Sequence, residues 1–378
     1  MAEEKAKKNN SGSSQRMAKW IRYVAIAILI VAIGCYFLSK TDLLDFETVD
    51  EQLAAIEAAR AIPDEENAAI IYNQLLENYH ESSLVPDFMD ELDYVTGLEP
   101  WSSKDYPELA EWLDGRQETI STLLLASKKE ECRFPIITDV QQMPFRMEQV
   151  RAMSRLSTLL SHAANNDIAE DRVDAFIQKY HCLIQMANHL CQQPVTLDFL
   201  FGTLVDSSAL DGMRSLIVEG NLTQEHLRTI EAALPHTKDN WAEISSRIIE
   251  FETLYGRKNQ GLFDRLKFAW QGIRLEDTVE LIQDRYLRQL ADRRSNRIFI
   301  ALRRYRNTNG RWPQTLDGIK NLVPEQILVD PINGGSFVYK LTEENFTLYS
   351  KGKNNIDEAG ERSSDSGADD WPIWSRGN

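Results

Sequence analysis

The sequence predicts a mainly α-helical protein: a membrane anchor, an exported domain of helical hairpins (bundle- or solenoid-like) and a small α+β module at the C-terminus. Three observations carry this prediction. Residues 23–38 hold no charge. Apolar residues then recur at helical spacing from about residue 45 to residue 306. Beyond Asn309-Gly310 the pattern changes to prolines, Asn/Asp/Gly turns and two short strand-like runs. The composition is globular, with 43% hydrophobic and 26% charged residues among 378. That length is room for two or three domains of roughly 100–200 residues each.

Charge divides the chain. In residues 1–40, seven lysines and arginines stand against Glu3 and Glu4, a charge of +5; the net of −16 therefore leaves −21 for the rest. The charge-free run Tyr23–Leu38 has 16 residues. With Trp20, Ile21 and a snorkelling Arg22 it forms about 28 Å of helix, close to a ~30 Å hydrocarbon core. Trp20 and Tyr36 stand where an aromatic belt would lie. A cleaved signal peptide and a lipoprotein signal ending at Gly34-Cys35 are the rivals. The first lacks a small-x-small site after Phe37, and the apolar run continues past Cys35. An uncleaved anchor fits better, and whether Cys35 carries a lipid stays open. The basic flank puts the N-terminus in the cytoplasm and the acidic bulk outside, in a bacterial periplasm. The expected division is a disordered cytoplasmic tail (1–16), the transmembrane helix (17–40, its bilayer contact at 20–38), the exported helical domain (41–274) and the terminal module (275–378).

The exported elements follow in order. Asp45 to Arg60 and Asn67 to Tyr79 read as helices separated by Ile62-Pro63-Asp64. Residues 81–104, with Pro86, Gly97 and Pro100, read as broken or loop-rich. A helix opening at Pro107 is expected to run to Lys128, and Met143-Pro144 to interrupt the chain again. Helices are then expected at Met147–Ala164, Ala169–Gln193, Phe199–Val218, Leu227–Leu234 behind Thr223-x-x-His226, Trp241–Tyr255 and Leu262–Ile273. Phe199–Val218 is apolar on several faces and should be central. Short links make neighbours antiparallel.

Net acidity excludes a general nucleic-acid binder, which needs phosphate-neutralising charge. Four cysteines exclude a disulfide-stapled scaffold. No phosphate-binding glycine loop, nucleophile elbow or zinc-protease helix motif is present. His181 and His189 lie two turns apart on one helix, about 12 Å, too far to share a zinc. Cys182 and Cys191 face opposite sides, and pairing of Cys132 with either stays open. Arg285 to Arg306 is a basic island of eight arginines facing Asp292 alone. It reads as a solvated face that balances the acidic remainder, with an anionic-partner site as the rival. A non-catalytic scaffold is the expectation, an envelope hydrolase or a ligand-binding sensor the alternatives.

The C-terminal order is Ala301-Leu-x-x-Tyr305, Gly310-x-Trp-Pro313, Thr315-Leu316, Leu322-Val-Pro324, Asp330-Pro331, Phe337-x-Tyr339, Leu348-Tyr-Ser-x-Gly352 and Ala368-Asp369. This order, over residues 305–374, resembles the C-terminal half of the major pseudopilin of type II secretion systems. The resemblance implies a calcium-binding loop after a hairpin that rests on a long helix. Calcium wants six to eight hard oxygens, and Asn354, Asn355, Asp357, Asp365, Asp369 and Asp370 offer them. Asp357 and Asp369 are the first expected ligands, then Asn354 and Asp370. The sequence departs from the family pattern at Asn354, where aspartate is usual, and in its longer loop with Glu358-Ala-Gly-Glu361. It also has Gln15-Arg-Met-Ala-Lys-Trp20 in place of a prepilin-peptidase site, so a fibre subunit is not expected. The implied role is structural or protein-interacting, with envelope or secretion-system partners.

Overall fold

Regular apolar spacing produces helices wherever one face can be buried, and this chain buries several faces at once. The computed structural model describes residues 46–77, 97, 99–234, 239–259, 275–342, 345–363 and 366–375. The anchor and its tail, the Leu262–Ile273 segment, Asp365 and most of 81–98 lie outside the described residues. Among the described residues no helix is long and apolar enough to cross a membrane.

The protein is mainly helical, with a small antiparallel sheet at the C-terminus. The helices are α1 (Phe46–Ala59), α2 (Ala68–Glu77), α3 (Pro107–Asp114), α4 (Gln117–Ala126), α5 (Met143–Ala169), α6 (Val173–Cys191), α7 (Thr196–Glu219), α8 (Gln224–Ala233), α9 (Trp241–Asn259) and α10 (Leu275–Asn309). α6 packs on both α5 and α7, and α7 on α10. α7 is central, as its many-sided apolar pattern requires: Phe199, Leu210, Met213 and Ile217 are all fully buried. Its two interior glycines permit this closeness. A Cβ at Gly202 would lie 2.8 Å from the Ala187 carbonyl, and one at Gly212 would lie 2.1 Å from the Tyr180 hydroxyl.

Helix boundaries differ from expectation at three places: Ala169 ends α5 instead of opening α6, and two others have a plain local reason. The Pro107 helix stops at Asp114, and a new one begins at Gln117. Gly115 closes the first helix, its amide reaching the Glu111 and Leu113 carbonyls. Met143-Pro144 does not interrupt α5 but opens it, because proline is tolerated in the first helical turn, where its missing N–H has no partner anyway. The preceding 3-10 turn, Val140–Gln142, is held by a capping box between Asp139 and Gln142. Thr223 and His226 cap α8 in the same reciprocal way.

The basic island is neither a solvated face nor an open anion site. Of its eight arginines only Arg285 is exposed; the others turn inward or lie half-buried along α10. Arg293 donates to Asp206 (2.7 Å) and to the Asn188 amide oxygen (2.9 Å), while Gln289 also donates to Asp206 (2.8 Å). Asp292 accepts from Ser207 (2.7 Å), Arg214 (3.1 Å) and the Trp371 indole N–H (3.3 Å). Arg303 donates to the Ile217, Val218 and Gly220 carbonyls at the end of α7 (3.2, 2.9 and 2.6 Å). A cation at a helix C-terminus satisfies carbonyls that the helix leaves unpaired. The arginines thus bond α10 to the helical hairpins.

The terminal module shares that helix. β1 (Val338–Leu341) pairs antiparallel with β2 (Phe346–Ser350), and β2 with β5 (Trp371–Trp374), giving the order β1-β2-β5. β3 (Arg362–Ser363) pairs with β4 (Ala368–Asp369). Phe346, Leu348 and Trp374 belong to one buried apolar cluster with Ile298 and Phe299 of α10 and Leu210 and Ile217 of α7. One core therefore runs through the hairpins and the module.

Candidate cation-binding loop of the C-terminal module

The chain leaves β2 at Ser350, turns at Gly352 and returns through Arg362 to β4. Gly352 has φ +61°, and a Cβ there would lie 2.1 Å from Asp369 Oδ1, so only glycine fits beside that carboxylate. Asp369 Oδ2 accepts the Lys353 and Asn354 amides (2.8 and 3.3 Å). Asp370 Oδ2 accepts the Glu358 and Gly360 amides (3.1 and 2.7 Å). The two aspartates clamp the two ends of the loop. Each leaves its Oδ1 buried and without a hydrogen-bond partner. Burial, and then the nearby Glu358 carboxylate, raise the Asp370 pKa above the usual carboxylate range.

Asn354 joins this group through Glu358: its Nδ2 donates to Glu358 Oε1 (2.7 Å), and Glu358 Oε2 accepts the Asp369 amide (3.4 Å). Asp357 does not join. It accepts from the Tyr349 hydroxyl (2.7 Å) and the Ala359 amide (3.0 Å), with Lys340 Nζ at 3.5 Å. The Tyr349 hydrogen bond, foremost, lowers its pKa. The structure thus brings together Asn354, Asp369 and Asp370 of the four sequence-derived ligands and holds Asp357 elsewhere. It adds Glu358, four residues after Asn354, which the sequence offered only as a departure from the family pattern. The turn before β1 braces the loop: the buried Asp330 accepts from the Ile332 amide (2.9 Å) and from Asn333 Nδ2 (2.7 Å), which also donates to the Gly352 carbonyl (3.1 Å).

Asp369 Oδ1 and Asp370 Oδ1 are buried oxygens of the hard kind that calcium takes, and among the described residues neither aspartate is in an ion pair, although Arg362 stands opposite Asp369 in the β3–β4 register. Among the described residues no three of His, Cys, Asp and Glu converge as a preformed metal cage. The arrangement is two adjacent aspartates with Glu358 bonded to both; Asn354 turns its Nδ2 to Glu358, and its Oδ1 accepts from the Ile356 amide (2.7 Å).

In the helical domain buried polar residues bond one element to another. His189 Nδ1 accepts from the Tyr72 hydroxyl (2.9 Å), and its Nε2–H donates to the Lys129 carbonyl (2.9 Å). Burial pushes its pKa down to about 4, so the ring is neutral. Cys132, Cys182 and Cys191 are free thiols, and burial raises Cys182 and Cys191 to about 12. Two clefts, of about 310 and 340 Å³, flank β5, and the second is also lined by Asp211 and Ser215 of α7. No protein-family model, curated protein or solved structure matches the chain.

Proposed function

We propose that the chain is a single-pass envelope protein, held in the inner membrane by residues 20–38 with its N-terminus cytoplasmic. Its exported helical domain is a non-catalytic scaffold. Its C-terminal module binds calcium and serves protein–protein assembly of the secretion or pilus-like kind. The observation that supports this most is the pair of buried, unpartnered carboxylate oxygens of Asp369 and Asp370 across the loop from Gly352. Bound calcium would draw on Asp369, Asp370, Asn354 and Glu358 and would give the two aspartates the ion pairing that they lack among the described residues. Asp357 would contribute only by leaving Tyr349. The scaffold reading is supported by the bonds that buried polar side chains make between helices, as at His189 and at Asp206 Oδ2.

The experiment is a thermal-unfolding comparison of the full chain in detergent, with and without millimolar calcium. A ligand that binds only the folded state adds about 2.7 kcal/mol at a hundredfold excess over Kd. Calcium should raise the midpoint and magnesium should do less, since it demands a tighter octahedron and keeps its waters. Asp369→Ala should abolish the response. A midpoint indifferent to calcium removes the cation from the reading.

A further inference from the structure

The path of the chain ties one end of the helical domain to the bilayer. α1 begins at Phe46, eight residues after Leu38, the last apolar residue of the anchor. Eight extended residues reach at most ~29 Å. With residues 20–38 spanning the membrane, the first turn of α1 therefore lies within that distance of the surface. Its neighbours can be followed bond by bond. Asp50 in that part of α1 is ion-paired with Lys258 near the end of α9. The next residue, Asn259, accepts from the Val140 amide (2.9 Å) and donates to the Thr138 carbonyl (3.2 Å). Met143 packs on the cluster that contains Val49 and Leu53 of α1 and Phe251 and Leu254 of α9. The start of α5 thus stands beside the end of the domain that the anchor enters.

There the chain turns large apolar side chains outward. Val140 is 57% exposed, Phe145 73% and Met147 48%, and Phe145 is the most exposed large apolar side chain among the described residues. Phe145 and Met147 leave α5 on different sides, so the three surround the helix end rather than forming a stripe for a partner helix. They are too few for a stable protein interface, which buries about 800 Å² on each partner. A bilayer already held close by a short tether needs far less contact, because the tether raises its effective concentration. The exposed charges around these residues, Asp139, Glu148 and Arg151, are of mixed sign and form no basic patch, so the contact is apolar rather than electrostatic.

We infer that Val140, Phe145 and Met147 rest in the headgroup region of the bilayer that holds the anchor, docking the helical domain end-on against the membrane. The inference rests on the anchor reading, and the test separates the two. The full chain in nanodiscs of phosphatidylethanolamine and phosphatidylglycerol carries one spin label at a time, attached through a genetically encoded ketone side chain. The labelled positions are 30, 140, 145 and 356. Oxygen, which concentrates in lipid, and an aqueous nickel chelate compete to relax each label. Positions 140 and 145 should show an oxygen-to-nickel accessibility ratio several-fold above position 356, whose native Ile356 is 61% exposed on the loop of the C-terminal module. The excess should persist in high salt. A deep position 30 with 145 as nickel-accessible as 356 overturns the docking alone. A label at 145 shielded from both reagents means that protein covers the site, another segment or a second copy, and also overturns it. An aqueous position 30 overturns the anchor and the docking together.

Discussion

The seam between α7 and α10 and the loop between β2 and β5 both gather carboxylates, and they resolve the charge in opposite ways. In the seam, Asp206 meets Arg293, and Asp292 meets Arg214. In the loop, Asp369 and Asp370 meet only backbone amides, with no ion pair of theirs among the described residues. An unpartnered oxygen alone does not distinguish the two, because Asp206 also leaves its Oδ1 without a hydrogen bond. The difference is that the seam's carboxylates are ion-paired with arginines, whereas the loop turns Lys353 towards Asp284 of α10 and, among the described residues, pairs neither Asp369 nor Asp370.

The largest expected effect breaks the seam. Asp292→Ala leaves the Arg214 guanidinium buried with only the exposed Asp211 beside it, and removes the acceptor of Ser207 and Trp371. Removing one partner of a buried pair costs about 3–5 kcal/mol. Urea unfolding followed by circular dichroism and by tryptophan fluorescence should show one transition, moved to lower urea in both signals, because a single core spans hairpins and module. Separate transitions would mean that the module unfolds apart from the hairpins.

The next effect belongs to His189 and acts through pH. Its folded pKa is about 4, below the ordinary 6.5, so the folded state prefers the neutral ring. Between these values the unfolded chain binds a proton that the folded chain does not, so stability is full above pH 6.5 and falls as pH drops towards 4. Two and a half units correspond to an upper bound of about 3 kcal/mol. Unfolding midpoints measured from pH 7 to pH 4 should fall for the wild type and fall less for His189→Gln. Equal slopes would show that other groups carry the acid sensitivity.

Much of the scaffold was legible from residue spacing, and the reasons for the exceptions are physical. Helices such as α6 and α7 announce themselves because burial on one or several faces leaves a period in the sequence. The hairpin of β1 and β2 shows in the same way. The inward course of the arginines did not show, because Arg293 and Arg303 find their partners 87 and 83–86 residues away on α7 and its C-terminal end. The island looked solvated because its counter-charges are distant in sequence. At the loop, residue chemistry offered the right oxygens but not their directions. Asp357 is claimed by Tyr349, eight residues earlier across the sheet face, while Glu358 comes to lie between Asn354 and Asp369.

A smaller effect sharpens the loop side of the comparison. Gly352→Ala combines a positive φ with a Cβ placed 2.1 Å from Asp369 Oδ1. Gly310→Ala has a similar φ of +73° and nothing within 4 Å. The left-handed conformation alone costs roughly 1–2 kcal/mol in each. Only the Gly352 variant must also displace Asp369. Both should lower the thermal midpoint, and only Gly352→Ala should also lose the calcium response. Loss of the response in Gly310→Ala would show that it depends on general stability rather than on the position of the carboxylate.

The smallest expected effect is the most discriminating. Asp357→Asn keeps an oxygen for Tyr349 and Ala359 and gives up an exposed charge pair with Lys340, worth at most about 1 kcal/mol. The midpoint without calcium should hardly move, and the calcium-induced rise should persist nearly in full. Asp370→Asn removes a charge whose Oδ1 has no partner, and the rise should vanish although the amide oxygen can still accept from Glu358 and Gly360. The two variants make the same chemical change within one loop. They differ in whether the carboxylate is already engaged by a tyrosine and a lysine or left with a bare oxygen. If Asp357→Asn abolishes the rise instead, the cation pulls Asp357 away from Tyr349 as it binds. Binding would then have to reorder the loop, and the Tyr349→Phe variant, which frees Asp357 in advance, should take up calcium more tightly than the wild type.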